Sequence, residues 1–262
     1  MKKILLSLTV ILFNFFIASA QTSTTTSIDS LSINNELILP KKNNVKVSLT
    51  SLVFKNFQFQ YERSLSKRIG FVLGYSFIPK GSVPFKSQIN DLTSSDPDTK
   101  DIFTNAELGY TAITPEVRFY LGKGYGKGFY IAPFYRHLQY DITGVNFTYT
   151  TDLGGQADID MGGKLSANTF GLQFGAQFNL GKNLILDWWI IGPHYGTSNG
   201  DFVGVTDRTL SAFEQAELQK ELDKIELPLS DVNAKANANG ATLNISGPWG
   251  GIRSGLSLGY RF

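Results

Sequence analysis

The sequence predicts an all-β fold: an eight-stranded antiparallel transmembrane β-barrel with short periplasmic turns, long extracellular loops and one short helix in the last loop. Three observations predict it. The first is the closing run Gly251-Ile-Arg-Ser-Gly-Leu-Ser-Leu-Gly-Tyr-Arg-Phe262, in which Ile252, Leu256, Leu258, Tyr260 and Phe262 share one parity. A strand alternates its side chains between two faces, so one face is apolar and the other small or charged. The second is connection length, short after strands two, four and six and long after strands three, five and seven. The third is charge: the three long connections hold 17 of the 22 acids and only 8 basic residues, whereas the short turns carry Lys67, Arg68, Lys123, Lys127 and Lys182 and no acid.

The chain opens on Lys2 and Lys3, an apolar run Ile4 to Ile17 and Ala18-Ser19-Ala20, the pattern of a cleavable signal peptide over residues 1–20. Removing it leaves 22 basic and 22 acidic residues, a balance that argues against nucleic acid as a partner. Residues 21–44 read as a flexible periplasmic leader and 45–262 as the barrel. With no cysteine, disulfides and thiolate metal sites are excluded.

Strand one is read as Val45–Phe54, with a Lys55-Asn56 turn. Strand two, Phe57–Ser64, sets Phe57, Phe59 and Tyr61 against Gln58, Gln60 and Glu62. Strand three is Ile69–Ile78. Strand four, Ala112–Leu121, opposes Ile113, Val117, Phe119 and Leu121 to Thr114, Glu116 and Arg118. Strand five is Phe129–Tyr140, running on as a hairpin arm through Val145–Tyr149 to a Gly154-Gly155 tip. Strand six, Asn168–Leu180, has the cleanest alternation, and strand seven is Leu184–Pro193. Pro115 and Pro133 fall inside strands, where a missing donor predicts a bulge or local distortion.

With the apolar parity outward, the opposite parity points Glu62, Glu116, Arg118, Arg136, Asp187 and Arg253 into the lumen. An eight-stranded barrel is just wide enough for its side chains to fill it. Buried charges need partners, so a structural ion-pair network is expected, with Glu116 and Arg136 facing each other across the second turn. The alternative is a gated path or proton relay.

The last long connection contains a different pattern. Ser211-Ala-Phe-Glu214 fits a capping box, and Leu210, Phe213, Leu218, Leu222 and Ile225 recur at helical spacing. The helix-bearing insertion, residues 209–227, either caps the barrel mouth or docks a partner protein. A small hairpin, Val232–Asn237 with Ala241–Ile245, turns at Asn239-Gly240. No catalytic or metal motif stands out: Gly122–Gly128 lacks the ending of a phosphate loop. Asp158-Ile-Asp160 and Asp96-Pro-Asp98 are more ordinary as solvated loop carboxylates than as a calcium site. No cofactor is expected.

The signal sequence, the alternating strands and the ending Gly247-Pro-Trp-Gly-Gly-Ile-Arg-Ser-Gly-Leu-Ser-Leu-Gly-Tyr-Arg-Phe262 resemble the small outer-membrane β-barrel proteins of Bacteroidota, a family of unknown function within the OmpA/OmpX-like barrel class. The resemblance spans roughly Lys46 to Phe262 and also takes in Leu210–Leu229 and Asn237–Ala241. It implies residence in the bacterial outer membrane, with outer-membrane lipid as surroundings and both mature termini periplasmic. It further implies recognition by the barrel-assembly machinery through Leu256, Leu258, Tyr260 and Phe262. It carries over no catalytic residue. The expectation for function is a non-enzymatic structural, surface-binding or accessory component. The alternatives are an outer-leaflet lipid-modifying enzyme using His137 and His194, and a narrow small-solute channel.

Overall fold

The computed structural model describes residues 41–82, 105–225, 227 and 229–262. The expected signal peptide and most of the leader lie outside them. The elements in order are β1 (Asn43–Ser48), helix α1 (Leu49–Val53), β2 (Phe57–Ser64), β3 (Ile69–Ser82), β4 (Glu107–Tyr120), β5 (Gly128–Thr150), β6 (Gln156–Asn179), β7 (Leu184–Val205), helix α2 (Ala212–Leu222), β8 (Asp231–Asn237) and β9 (Gly240–Arg261).

All pairings are antiparallel, and β1 pairs with both β2 and β9, so eight strands close into a barrel while β8 adds only to the far end of β9. Closure is staggered. One ladder row runs Asn44, Glu62, Val72, Glu116, Phe134, Gly171, His194, Gly251, and returns opposite position 54, ten residues from its start. A stagger of that size tilts the strands by about 40° from the axis.

Polarity along β6 locates the membrane. Its inward parity reads Ile159, Met161 and Ala167, then Thr169, Gln173 and Gln177; its outward parity reads Asp158, Asp160, Lys164 and Asn168, then Phe170, Leu172, Phe174 and Phe178. The two faces exchange character between Asn168 and Phe170. Below that level the exterior is apolar and the lumen polar, as lipid demands. Above it the exterior is polar and the interior apolar, as water demands. Phe170 to Leu180 spans about 25 Å at this tilt, the height of a membrane barrel's apolar band.

The strands are therefore longer than the membrane requires. β5, β6, β7 and β9 continue past the band and, with β8, form an open five-stranded extension. The long connection expected after strand five is mostly this extension, and the tip proper is a turn over Thr151–Gly155. The hairpin at Asn239-Gly240 forms as expected, but its second strand is continuous with the terminal strand through Arg261.

Strand one departs from the sequence reading at both ends. Strand one begins at Asn43 and ends at Ser48 instead of running from Val45 to Phe54. Ser48 instead caps one helical turn, accepting from the Ser51 N–H at 3.3 Å. The first strand thus meets the last only from Asn43, which exchanges backbone bonds with Phe262, to Ser48, and Thr50 Oγ1 takes over by accepting from the Leu256 N–H at 3.2 Å. At Pro115 and Pro133 there is no bulge. The β4–β5 ladder keeps its register but lapses between Ile113 and Glu116 and again between Glu116 and Phe119. A real bulge lies elsewhere, at Ile190-Ile191 of β7, where the register slips against both neighbours. Consecutive outward side chains there switch the inward parity from Asp187 and Trp189 to Gly192 and His194.

Candidate functional site

The lumen is filled level by level: a turn-end layer, a middle layer and two further levels above them. At the turn end, the Arg261 guanidinium donates from Nε to Asn44 Oδ1 at 3.0 Å and from Nη2 to the Gly126 carbonyl at 2.8 Å. Gln177 donates to the same carbonyl at 2.7 Å. The Gly122–Gly128 turn therefore folds under the barrel and closes its mouth. Only glycine suits position 126: its φ is +51°, and a Cβ would come within 3.2 Å of Gln177, Arg261 and Ser64.

The middle layer is the ion-pair network. Lys46 Nζ lies 2.5 Å from Glu62 and 2.7 Å from Asp187, and Arg118 lies 2.6 Å from Asp187 and 3.7 Å from Glu62. Tyr120 donates to Glu62 at 2.5 Å and Tyr130 to Asp187 at 2.9 Å. The Arg118 guanidinium sits 4.3 Å over the Tyr130 ring. Two acids balance two bases, and all four side chains have 0% solvent exposure. The layer fills the cross-section, as expected for so narrow a barrel.

One level higher, Glu116 accepts from Gln60 at 3.1 Å and pairs with Arg253 at 3.4 Å and Arg118 at 3.7 Å. Arg253 stacks on Phe134 and Trp189, its centre 4.4 and 5.2 Å from the two rings. Above that, Tyr110, Ala112, Leu138 and Ala167 form an apolar layer flanked by Tyr140 and Trp249.

Five of the six luminal charges read from the sequence thus converge: Glu62, Glu116, Arg118, Asp187 and Arg253. Arg136 does not join them. It donates to the Tyr110 hydroxyl and makes no ion pair with Glu116, because the β4–β5 register sets Glu116 opposite Phe134 and leaves Arg136 a level higher. Lys46, which touches both central acids, was missed. Its signal was present in the alternation of β1, where Val45 and Val47 flank it on the other face. Tyr120 and Tyr130, the neutral hydrogen-bond donors of the layer, share the inward parity of Arg118 and Arg136.

The insertion is a cap with its own core. Leu210, Leu218 and Leu222 are fully buried against Phe147, Tyr149, Ile159, Met161, Phe202 and Leu243, and Ile225 packs on their margin. The apolar residues assigned to docking therefore face inward, a correction that leaves only Phe213 exposed, at 50%. The helix needs this sheet because so short a segment is not stable alone. Its start is tied down threefold. Ser211 and Glu214 form the capping box; Arg208 holds the Glu214 carboxylate at 2.6 and 2.8 Å; and Ser211 Oγ donates to Asp152 of the tip at 2.8 Å. The two hydrogen bonds from Arg208, with the Ser211 N–H, hold the Glu214 carboxyl down at about 2.

The two histidines lie on opposite faces. His137 points outward and bonds Asn168 at 2.8 Å, while the β7 bulge turns His194 into the lumen beside Phe134. Among the described residues no three acids or histidines cluster as a metal site, and Asp96-Pro-Asp98 lies outside them. Of the terminal aromatic motif, Leu258, Tyr260 and Phe262 are exposed on the outer wall and Leu256 is half-buried.

No protein-family model and no curated sequence matches the chain. Among solved structures it is similar to the N-terminal β-barrel domain of Pseudomonas aeruginosa OprF. That likeness has 10% identity, covers 85% of this chain and 98% of that one, and has a TM-score of 0.30. The outer membrane protease OmpT of Escherichia coli gives 10% identity, 84% and 92% coverage and a TM-score of 0.31. The β domain of the Bordetella autotransporter BrkA gives 11% identity, 86% and 99% coverage and a TM-score of 0.26. With overlaps this low, the architecture rests on the strand ladders and not on these likenesses.

Proposed function

We propose that the chain is an integral outer-membrane protein that acts through its extracellular cap as a non-enzymatic surface-binding or accessory component. The observation that carries this reading is the exchange of polarity between Asn168 and Phe170: below it the wall suits lipid, above it the protein is built for water. Both termini and the basic turns then face the periplasm, and the cap faces outward. The working surface is the tip, where the Ser211–Asp152 bond brings Phe213 beside the turn bearing Leu153, which is 97% exposed.

The absence of cysteine makes topology directly testable. In intact cells, Leu153→Cys should react with a membrane-impermeant maleimide, and Lys67→Cys should react only after the outer membrane is permeabilised. The reverse pattern, or recovery of the protein in the soluble fraction, would overturn the reading. The channel alternative needs the four charges of the middle layer to separate, and planar-bilayer recording of the purified barrel should give no steady conductance. The enzyme alternative has to use histidines on opposite faces of the wall. Unchanged lipid profiles on replacing His137 and His194 would remove it.

A further inference from the structure

We propose that the upper lumen binds one small monovalent anion between Arg136 and Arg253, beneath the Tyr110 layer. Charge balance is the first reason. Above the turn-end layer the described residues of the lumen include Lys46, Arg118, Arg136 and Arg253 against Glu62, Glu116 and Asp187, one cation in excess. Lys46 and Arg118 satisfy Glu62 and Asp187. Glu116 is shared between Arg118 and Arg253, and Arg136 has no acid within ion-pair distance among the described residues.

Unmade hydrogen bonds are the second reason. Arg253 is 7% exposed, yet among the described residues its Nε and Nη1 have no partner, and the Nε1–H of Trp189, 2% exposed, has none either. These donors belong to side chains in contact, with the Arg253 centre 5.2 Å from the Trp189 ring. Buried donors without partners cost free energy, and a cation without a counter-charge costs more. Phe134, on whose ring Arg253 stacks, lies 6.1 Å from the His194 ring and stands two positions before Arg136 on the inward parity of β5, so the two guanidinium groups flank one stretch of the lumen. Two like charges held together inside a closed wall are stabilised by an anion between them. Arg136 and His194 are only half-buried, so solvent reaches the margin of the site.

Chloride and formate are the probes. Full-length protein in neutral detergent, exchanged into gluconate, is titrated calorimetrically with each, and crystals grown in bromide are measured at the bromine edge. We expect one saturable site in which chloride and formate compete, and an anomalous peak beside Arg253 and Trp189. Binding should weaken at least tenfold in Arg253→Gln and several-fold in Trp189→Phe, which keeps the ring and removes its N–H. Where Arg253→Gln fails to fold, Trp189→Phe alone decides. Absence of saturable binding in heat-modifiable protein, a bromide peak elsewhere, or undiminished binding in Trp189→Phe would overturn the proposal and leave water as the occupant.

Discussion

Lys46 and Asp187 lie 141 positions apart in sequence and 2.7 Å apart in the lumen, fully buried. The contact spans the closing seam, since β1 and β7 meet only because β9 lies between them. It links the first strand to the penultimate barrel strand through the interior, where the seam itself has only a short ladder.

Removing the lysine charge should therefore loosen closure. Lys46→Met leaves Glu62 and Asp187 to share Arg118, and breaking a buried pair on one side costs about 3–5 kcal/mol. The urea midpoint of the folded, heat-modifiable band in phospholipid vesicles should fall accordingly. Adding Glu62→Gln, which restores the charge balance, should recover much of the loss. Equal midpoints for wild type and Lys46→Met would show that the pair does not hold the seam.

A second expectation concerns the free edge of the cap. The Gln219 side chain donates to the Ala234 carbonyl at 3.1 Å and accepts from the Ala236 N–H at 2.9 Å. It occupies the place that a neighbouring strand's peptide would take beside β8, and so blocks edge-to-edge pairing. Gln219→Leu should cost about 1–3 kcal/mol of local stability, the penalty for unmade backbone bonds. Hydrogen exchange at the Ala236 amide should speed up while amides in the barrel wall keep their rates. Unchanged exchange at Ala236 would refute this role.

The third expectation is a pH dependence. Glu214 is held at about 2 in the folded cap, below its ordinary value of 4.5. A depressed carboxyl contributes its stabilisation in full above the ordinary value and loses it as pH falls through the folded one. The start of α2 should thus loosen between about pH 4.5 and 2, read as faster exchange of the Gln215 amide, which bonds the Ser211 carbonyl. Glu214→Gln should already be loose at neutral pH and show little further change. A wild-type profile as flat as that of Glu214→Gln would contradict the assignment.

Much of this molecule was legible in its sequence where the relevant physics is local. Alternation at Phe170–Leu180 identified a lipid-facing wall because successive strand residues must point to opposite faces. Ser211 and Glu214 announced the helix start because a capping box closes within four residues. Parity alone selected five of the luminal charges.

What failed in the reading failed because it depended on contacts distant in sequence. Simple alternation from Asp187 would put His194 outside, and the Ile190-Ile191 bulge puts it inside. That slip is visible only against β6 and β9 together. Arg136 shares a hairpin with Glu116 but stands a level too high, because pair register is set by the whole ladder. The apolar face of α2, left open in the sequence between capping and docking, is buried because strands from β5 to β9 rise past the membrane to meet it. The sequence by itself determined the wall, the sidedness of its charges and the helix start, since each follows from periodicity over a few residues. Only the tertiary structure decided which charges touch, which way β7 turns after its bulge and what covers the helix, since closure and stagger are properties of the entire ring.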